Sequence, residues 1–328
     1  MGSKPTIRDV AREAGVSLGT VSKVINGLPV GKEYKSKVEK AIERMGYEVN
    51  EYARGLRAGK TYTVALILPV LNHPFFASLA HEICTALAQR DHRMLVYVTA
   101  SKPDLEQRCI NMVRQNKVDG IIGLTYNPLE LDEDLPFVSI DRSIASNIPC
   151  VAADNYGGGR IAAEKLIGLG CRHLAFLRTG SSNPSETDRR GDGFEAACRM
   201  RNIPCHSLRL SDGNDRDDME RFREFFLDHM KDGKLDIDGV FCSTDLLAWH
   251  LQKMLAELGV RVPEDVQLIG FDGIRQLGAE DLYCSTIIQP VQKMAEAAVD
   301  LLLTKDRSNA PALVLLPVSY APGGTTKE

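Results

Sequence analysis

Residues 6–27 read TIRDVAREAGVSLGTVSKVING. Ile7, Val10, Ala11 and Ala14 recur at i, i+3, i+4 and i+7, the spacing of one helix face. Thr6 stands before them as an N-cap, Asp9 falls in the first turn, and Gly15 stops the run. Ser17 predicts the N-cap of a second helix reaching about Asn26, with Val21, Val24 and Ile25 turned inward and Gly27 and Pro29 beyond its end. Val38, Ala41, Ile42 and Met45 mark a third helix, closed by Gly46. Two short helices joined at a glycine turn, with a third packed behind, form a helix-turn-helix.

Working outward, charge separates this head from the rest. Residues 1–60 carry 12 Lys and Arg against 7 Asp and Glu, while the remainder carries 28 against 37, within a formal total of −4. A basic head on an acidic body predicts nucleic-acid contact by the head. The 328 residues, 44% apolar and 26% charged, imply two or three folded domains and exclude a largely disordered or collagen-like chain.

Beyond Lys60 the pattern changes. Compact apolar runs at Val64–Leu68, Met94–Val98, Val118–Leu124, Phe137–Ile140, Leu174–Leu177, Gly239–Cys242 and Val266–Gly270 read as strands. Helical stretches near 74–89, from 104, and near 158–169, 188–202, 215–230, 245–258 and 291–303 alternate with them. That alternation predicts parallel sheets, and the length predicts two of them side by side. Asn50–Lys60 is a polar, basic connector with Gly55 and Gly59, weakly helical on its own. Within it Leu56 lies between Arg54 and Arg57 with Ala53 as its one local apolar neighbour.

The eight cysteines form no C-x-x-C pair, and none lies in the first 60 residues. They read as reduced, mostly buried thiols. The N-terminal stretch lacks the apolar segment of a signal peptide, and Val64–Leu71, with Pro69 inside it, is too short to span a bilayer. A cytoplasmic protein with no membrane segment is expected.

The ordered set of motifs resembles the LacI/GalR family of bacterial transcription regulators. It comprises residues 6–27, ARGLRAGKT at 53–61, NHPFF at 72–76, IDR at 140–142 and DNYGGGRIAAEKL at 154–166. It continues through RRGDGF at 189–194, STDLLAWH at 243–250, VPEDVQLIGFDG at 262–273 and STIIQPVQKMAEAAVDLLL at 285–303. The resemblance implies an α/β fold class: an all-α helix-turn-helix headpiece at 1–49, a hinge helix or linker at 50–60, and a two-subdomain core at 61–328 like periplasmic sugar-binding proteins. The N-subdomain would take about 61–155 and 288–317, and the C-subdomain about 156–287 and 318–328, with three chain crossings between them.

In a helix-turn-helix the second helix presents its N-terminal residues to the major groove. Leu18, Gly19 and Lys23 match the family positions that set operator choice. Lys23 suits guanine O6 and N7, Leu18 offers apolar contact, and Gly19 offers none. The plain alternative for Lys23 is a solvated surface lysine. Thr6, Ser17, Thr20, Ser22 and Asn26 complete the candidate DNA contacts, the short polar side chains suiting phosphate oxygens; Ser17 alternatively serves purely as a cap. Leu56 matches a wedge into the minor groove and Arg57 a basic minor-groove contact, with packing on its own core as the alternative for Leu56.

For the effector, the resemblance carries over Asn72, Phe75 and Phe76, then Asp141, Arg190, Asp245 and Asp272. Each falls at a strand end or in the loop after it, where α/β sheets hold ligands. Arg190 can fork two hydroxyls and Asp272 can accept from two. Phe75 and Phe76 read either as cleft walls or as core, Asp245 either as a ligand contact or as a helix cap, and Trp249 as core. Thr244 and His250 stand where the family commonly has Asn and Gly.

Other motifs fail on context. GVSLG at 15–19 is a literal G-x-S-x-G, but a helix precedes it rather than the strand a nucleophile elbow needs. Gly157–Gly159 has no following Lys-Ser/Thr at phosphate-loop spacing. Residues 212–218 (DGNDRDD) hint at a calcium loop, but there is no Gly at position six and Arg223 stands at position twelve where Glu is needed, so they read as a solvated acidic loop. The seven histidines show no ligand spacing. The sequence therefore predicts an effector-gated, sequence-specific transcription regulator, a repressor working as a homodimer on palindromic double-stranded DNA. Its ligand is a sugar, sugar phosphate or nucleoside-like molecule, and no metal, cofactor or enzymatic activity is expected. The rivals are a solute-binding transport component and a sugar-modifying enzyme.

Overall fold

The computed structural model describes residues 5–47, 61–125, 127, 129, 131, 135–179, 186–210, 215–276, 281–304 and 310–328. The chain divides into two units, Met1–Thr61 and Tyr62–Glu328.

In the first unit the helices are α1 (Ile7–Ala14), α2 (Leu18–Ile25) and α3 (Lys32–Met45). Thr6 and Asp9 form a reciprocal capping box on α1. Gly15 ends that helix at φ 60°, a left-handed conformation that glycine adopts without a Cβ clash. The Ser17 hydroxyl accepts from the Thr20 N–H and starts α2. Val10, Ala11, Ala14, Val21, Val38 and Ala41 bury together where the three apolar stripes meet.

The second unit holds two six-stranded sheets. The first runs through β1 (Thr63–Leu68), β2 (Arg93–Val98), β3 (Gly120–Gly123), β4 (Phe137–Ile140), β5 (Cys150–Ala153) and β13 (Leu313–Leu316), in the order β13-β5-β4-β3-β1-β2, all parallel. Helices α4 (Pro74–Ala88) and α10 (Val291–Leu303) cover one face, and α5 (Pro103–Gln115) covers the other.

The second sheet runs through β6 (Leu174–Arg178), β7 (Cys205–Arg209), β10 (Gly239–Cys242), β11 (Gln267–Asp272), β12 (Thr286–Ile288) and β14 (Ser319–Ala321). Its order is β14-β12-β11-β10-β6-β7, with β14 antiparallel. One face carries α6 (Asn155–Gly168) and α7 (Arg189–Met200), the other α8 (Asp215–Asp228) and α9 (Asp245–Glu257). A two-stranded hairpin, β8 (Met230–Lys231) and β9 (Lys234–Leu235), follows α8. The strand order makes the chain pass between the sheets after β5, after β12 and after β13.

Strands wrapped on both faces are buried on both, which is why β1, β3 to β6, β10 and β11 are buried throughout. The acidic segment 212–218 is in part helix: from Asp215 it forms the start of α8, and Asp218 is buried. All eight cysteines are free thiols, six of them buried.

The glycine run at 157–159 serves helix packing. Gly159 of α6 and Gly193 of α7 let the two backbones touch. A Cβ on Gly159 would lie 1.9 Å from the Arg190 carbonyl oxygen, and one on Gly193 would lie 2.0 Å from that of Tyr156. The helix that carries Arg190 is therefore held against α6 with no side chain between them.

Candidate functional site

On α2 the side chains opposite the buried Val21 form one polar face. Ser17, Leu18, Gly19, Lys23 and Asn26 are exposed, and Thr20 and Ser22 are half-buried. Local bonds preset several of them: the Ser17 and Thr20 hydroxyls lie 2.9 Å apart, and the Asn26 amide donates to the Ser22 carbonyl at 2.8 Å. Leu18 keeps an apolar side chain in water at 39% exposure and, among the described residues, is not packed on the headpiece core. Thr6 is exposed but its hydroxyl donates to Asp9 at 2.6 Å, so capping already occupies it. Leu56 and Arg57 lie outside the described residues.

In the core unit, Arg190, Asp272 and Asp141 come together at the C-terminal ends of strands. Arg190, in the first turn of α7, is 3% exposed. Its Nε donates to Asn155 Oδ1 at 2.7 Å, and Nη1 donates to the Ser243 carbonyl at 2.6 Å. Nη1 also lies 3.6 Å from Asp272 Oδ1, and the guanidinium sits 3.7 Å above the Phe271 ring. Phe271 continues into Phe241, Phe194 and Phe176, so an aromatic cluster supports the cation from below. The Gln289 amide donates to Asp272 Oδ1 at 2.8 Å.

Asp141 follows β4 and Asp272 ends β11; both have positive φ, 55° and 123°. Such backbone is costly for a residue with a Cβ and collects where a side chain must be aimed. Among the described residues, four buried atoms here have no hydrogen-bond partner: Asp141 Oδ1, Ser243 Oγ, Asp272 Oδ2 and Gln289 Oε1. Unmet buried polar atoms are rare in folded proteins, and four of them fall on residues of this group.

The electrostatics follow from burial. Loss of water pushes the Asp272 carboxyl up to about 8, against the pull of Arg190, with Asp245 and Asp141 adding to the rise. Burial likewise raises Asp141 to about 6, opposed by Arg190. His73 is driven the other way, to about 4, first by burial and then by the Arg190 charge.

The remaining expected residues fall differently. Phe75 is buried in the core beneath α4, and Phe76 is half-buried beside it. Asn72 is exposed, and the next residue, His73, takes the N-cap of α4, its Nδ1 accepting from the Phe75 N–H at 3.3 Å. Asp245 does not turn toward Arg190. Its Oδ2 accepts from the Ile274 N–H at 2.6 Å, and its Oδ1 from the Thr286 hydroxyl at 2.5 Å and from the Cys284 thiol. Both oxygens are thus used by the fold, and the capping of α9 belongs to Thr244, whose hydroxyl accepts from the Leu247 N–H. Trp249 is half-buried with the Lys253 ammonium 3.5 Å over its ring.

The residue reading missed Asn155, Ser243, Gln289 and His73. All four lie within quoted motifs: DNYGGG, STDLL, IIQPV and NHPFF. His73 was masked by its neighbour: Asn72 drew attention by residue type, but a helix cap is set by position.

Known proteins place this arrangement. Residues 6–50 match the family described as bacterial regulatory proteins, lacI family, and residues 163–326 match the periplasmic binding protein-like domain. The sucrose operon repressor of Streptococcus mutans is 32% identical over 323 residues, covering 97% of this chain and 98% of its own. The ribose operon repressor of Bacillus subtilis is 30% identical over 330 residues, covering 98% and 99%. The lac repressor dimer bound to operator shares the fold, with a TM-score of 0.82 over 99% of both chains at 23% identity. The likeness runs through head and core together, so the chain belongs to the lacI family of bacterial regulatory proteins, as an effector-gated, DNA-binding transcriptional repressor.

Proposed function

We propose that the exposed face of α2 reads one half of a palindromic operator and that two chains act together to read both halves. Leu18, Gly19 and Lys23 supply the base-edge contacts. Ser17, Thr20, Ser22 and Asn26 supply the phosphate contacts, with Thr6 held at the edge of that face by its cap. Leu56 and Arg57 extend the reading to the minor groove at the centre of the operator. Residues 1–49 are read as the headpiece, 50–60 as the hinge and 61–328 as the effector and dimerisation core.

The effector is read as a sugar-like molecule held by Asp141, Arg190 and Asp272, assisted by Asn155, Ser243 and Gln289. Phe76 stands as an apolar wall, while Asp245 secures the loop at Ile274. The single observation that carries this is the buried Arg190–Asp272 pair ringed by unpartnered polar atoms. The names of the sucrose and ribose operon repressors support the ligand class. The protein is read as cytoplasmic and non-catalytic; among the described residues no helix is long and apolar enough to cross a membrane.

A thermal-shift screen against sugars, sugar phosphates and nucleosides, followed by operator titration with each stabilising compound, tests the reading. A ligand that raises the melting temperature and changes operator affinity supports it. Operator binding that no stabilising ligand alters contradicts it.

A further inference from the structure

Cys198 lies in the last turn of α7, and Cys205 opens β7. Between them the chain turns sharply. The Ile203 N–H donates to the Cys198 carbonyl at 3.0 Å, and Asn202 takes a left-handed φ of 54°. The turn brings both side chains to the apolar cluster that also holds Phe194 and Ala197, and the two thiols hydrogen-bond each other. Cys198 is fully buried, whereas Cys205 is half-buried on the edge strand of the second sheet.

Other buried cysteines are occupied differently. The Cys171 thiol donates to the Asp238 carbonyl at 3.2 Å, and the Cys284 thiol donates to Asp245. Burial pushes the Cys150 and Cys171 thiols up to about 12 and raises Cys242 as well. At Cys198 the bond from Cys205 outweighs burial and holds the thiol below its ordinary value, while the same bond retains the Cys205 proton. One negative charge is thus shared by two sulfurs in contact, and the thiolate is the form that attacks an oxidant.

We propose that Cys198 and Cys205 form an oxidisable dithiol, which a hydroperoxide converts into a disulfide fastening the end of α7 to β7. The half-buried Cys205 is where the oxidant arrives. Its thiolate, formed when its proton passes to Cys198 across the shared bond, attacks one peroxide oxygen. The S–O bond forms, the O–O bond breaks, and the leaving hydroxide takes up a proton as water. The Cys198 thiol then attacks the sulfenic sulfur. The S–S bond forms, the S–O bond breaks, and the oxygen leaves as water with the thiol proton. Two thiols and one hydrogen peroxide yield one disulfide and two waters. Arg190 stands in the first turn of the same helix, so the link stiffens an element on which the cleft is built.

The test uses the full chain with Cys84→Ser, which removes an exposed thiol open to any oxidant. Treated with one equivalent of hydrogen peroxide, the protein should lose two hydrogens by mass spectrometry. Its digest should contain a linked peptide pair joining Cys198 to Cys205, and dithiothreitol should restore both thiols. The oxidised protein should melt at a higher temperature than the reduced one, because the link restricts the unfolded chain. Adding Cys198→Ser should stop the reaction at the Cys205 sulfenic acid, trapped by dimedone, and leave melting unmoved by peroxide. Oxidation of other thiols with this pair intact, or a link that forms only in urea-unfolded chain, would overturn the proposal. So would a linked protein that melts no higher than the reduced one.

Discussion

The headpiece face and the core cleft are two recognition sites built on opposite terms. The headpiece displays its candidate contacts on one short helix, contiguous in sequence and largely in water. The cleft gathers residues from 73 to 289, and its polar side chains are buried. Exposed side chains that meet only water cost the fold little to change, and a cap such as Ser17 costs about 1 kcal/mol. Buried ones that hold a charge in place couple recognition to stability. The contrast teaches that substitution should separate binding from folding in the head and should join them in the cleft.

The largest expected effect breaks the cleft on both counts. Arg190→Ala removes the partner of Asn155, Ser243 and Asp272 and the cation above Phe271. It should destabilise the core by roughly 3 kcal/mol in urea unfolding and abolish effector binding. Unchanged stability would mean that the Arg190–Asp272 pair does not hold this part of the core together.

A second effect is pH dependence confined to the core. The unfolded Asp272 carboxyl loses its proton near its ordinary value, whereas the folded one keeps it to about 8. Between those values the folded state binds more protons, so stability falls as pH rises from about 4 to about 8. Asp141, raised to about 6, acts in the same sense over the lower part of that window. Asp272→Asn should flatten the decline in core unfolding followed across this range; a decline of wild-type size in the variant would assign it elsewhere.

On the head the comparison sharpens. Lys23→Ala should cost about 1–3 kcal/mol of operator binding while changing unfolding by less than about 0.5 kcal/mol. Gel shifts set beside melting curves would check the two together. The smallest expected effect is that of Ser17→Ala, about 1 kcal/mol of headpiece stability through loss of the α2 cap, read by thermal melting.

These differences also explain what the sequence made legible. The helices of the head follow from Ile7, Val10, Ala11 and Ala14 with Thr6, Ser17 and the glycine stops, because caps and periodicity are local. Long two-faced strands such as Val64–Leu68 were equally plain. Strands β5, β7, β12, β13 and β14 were not foreseen, because three to five residues carry little periodicity and pairing with distant partners decides them. Arg190 and Asp272 were readable as chemistry from the family resemblance. Asp245 was not, because whether a carboxylate faces a ligand or the Ile274 N–H depends on a contact 29 residues away. His73 was hidden for the same reason: its importance comes from a helix start and from a charge on the other sheet.

The most direct test uses Asp272→Asn, which keeps the shape of the side chain and removes a carboxylate that burial disfavours. Operator affinity is measured for wild type and variant, with and without the sugar that stabilises the wild-type core. The account predicts equal affinities without sugar, a shift of at least about tenfold on adding sugar to the wild type, and almost none in the variant. A variant that responds to the sugar as fully as the wild type would contradict the claim that this buried cluster is where the effector acts.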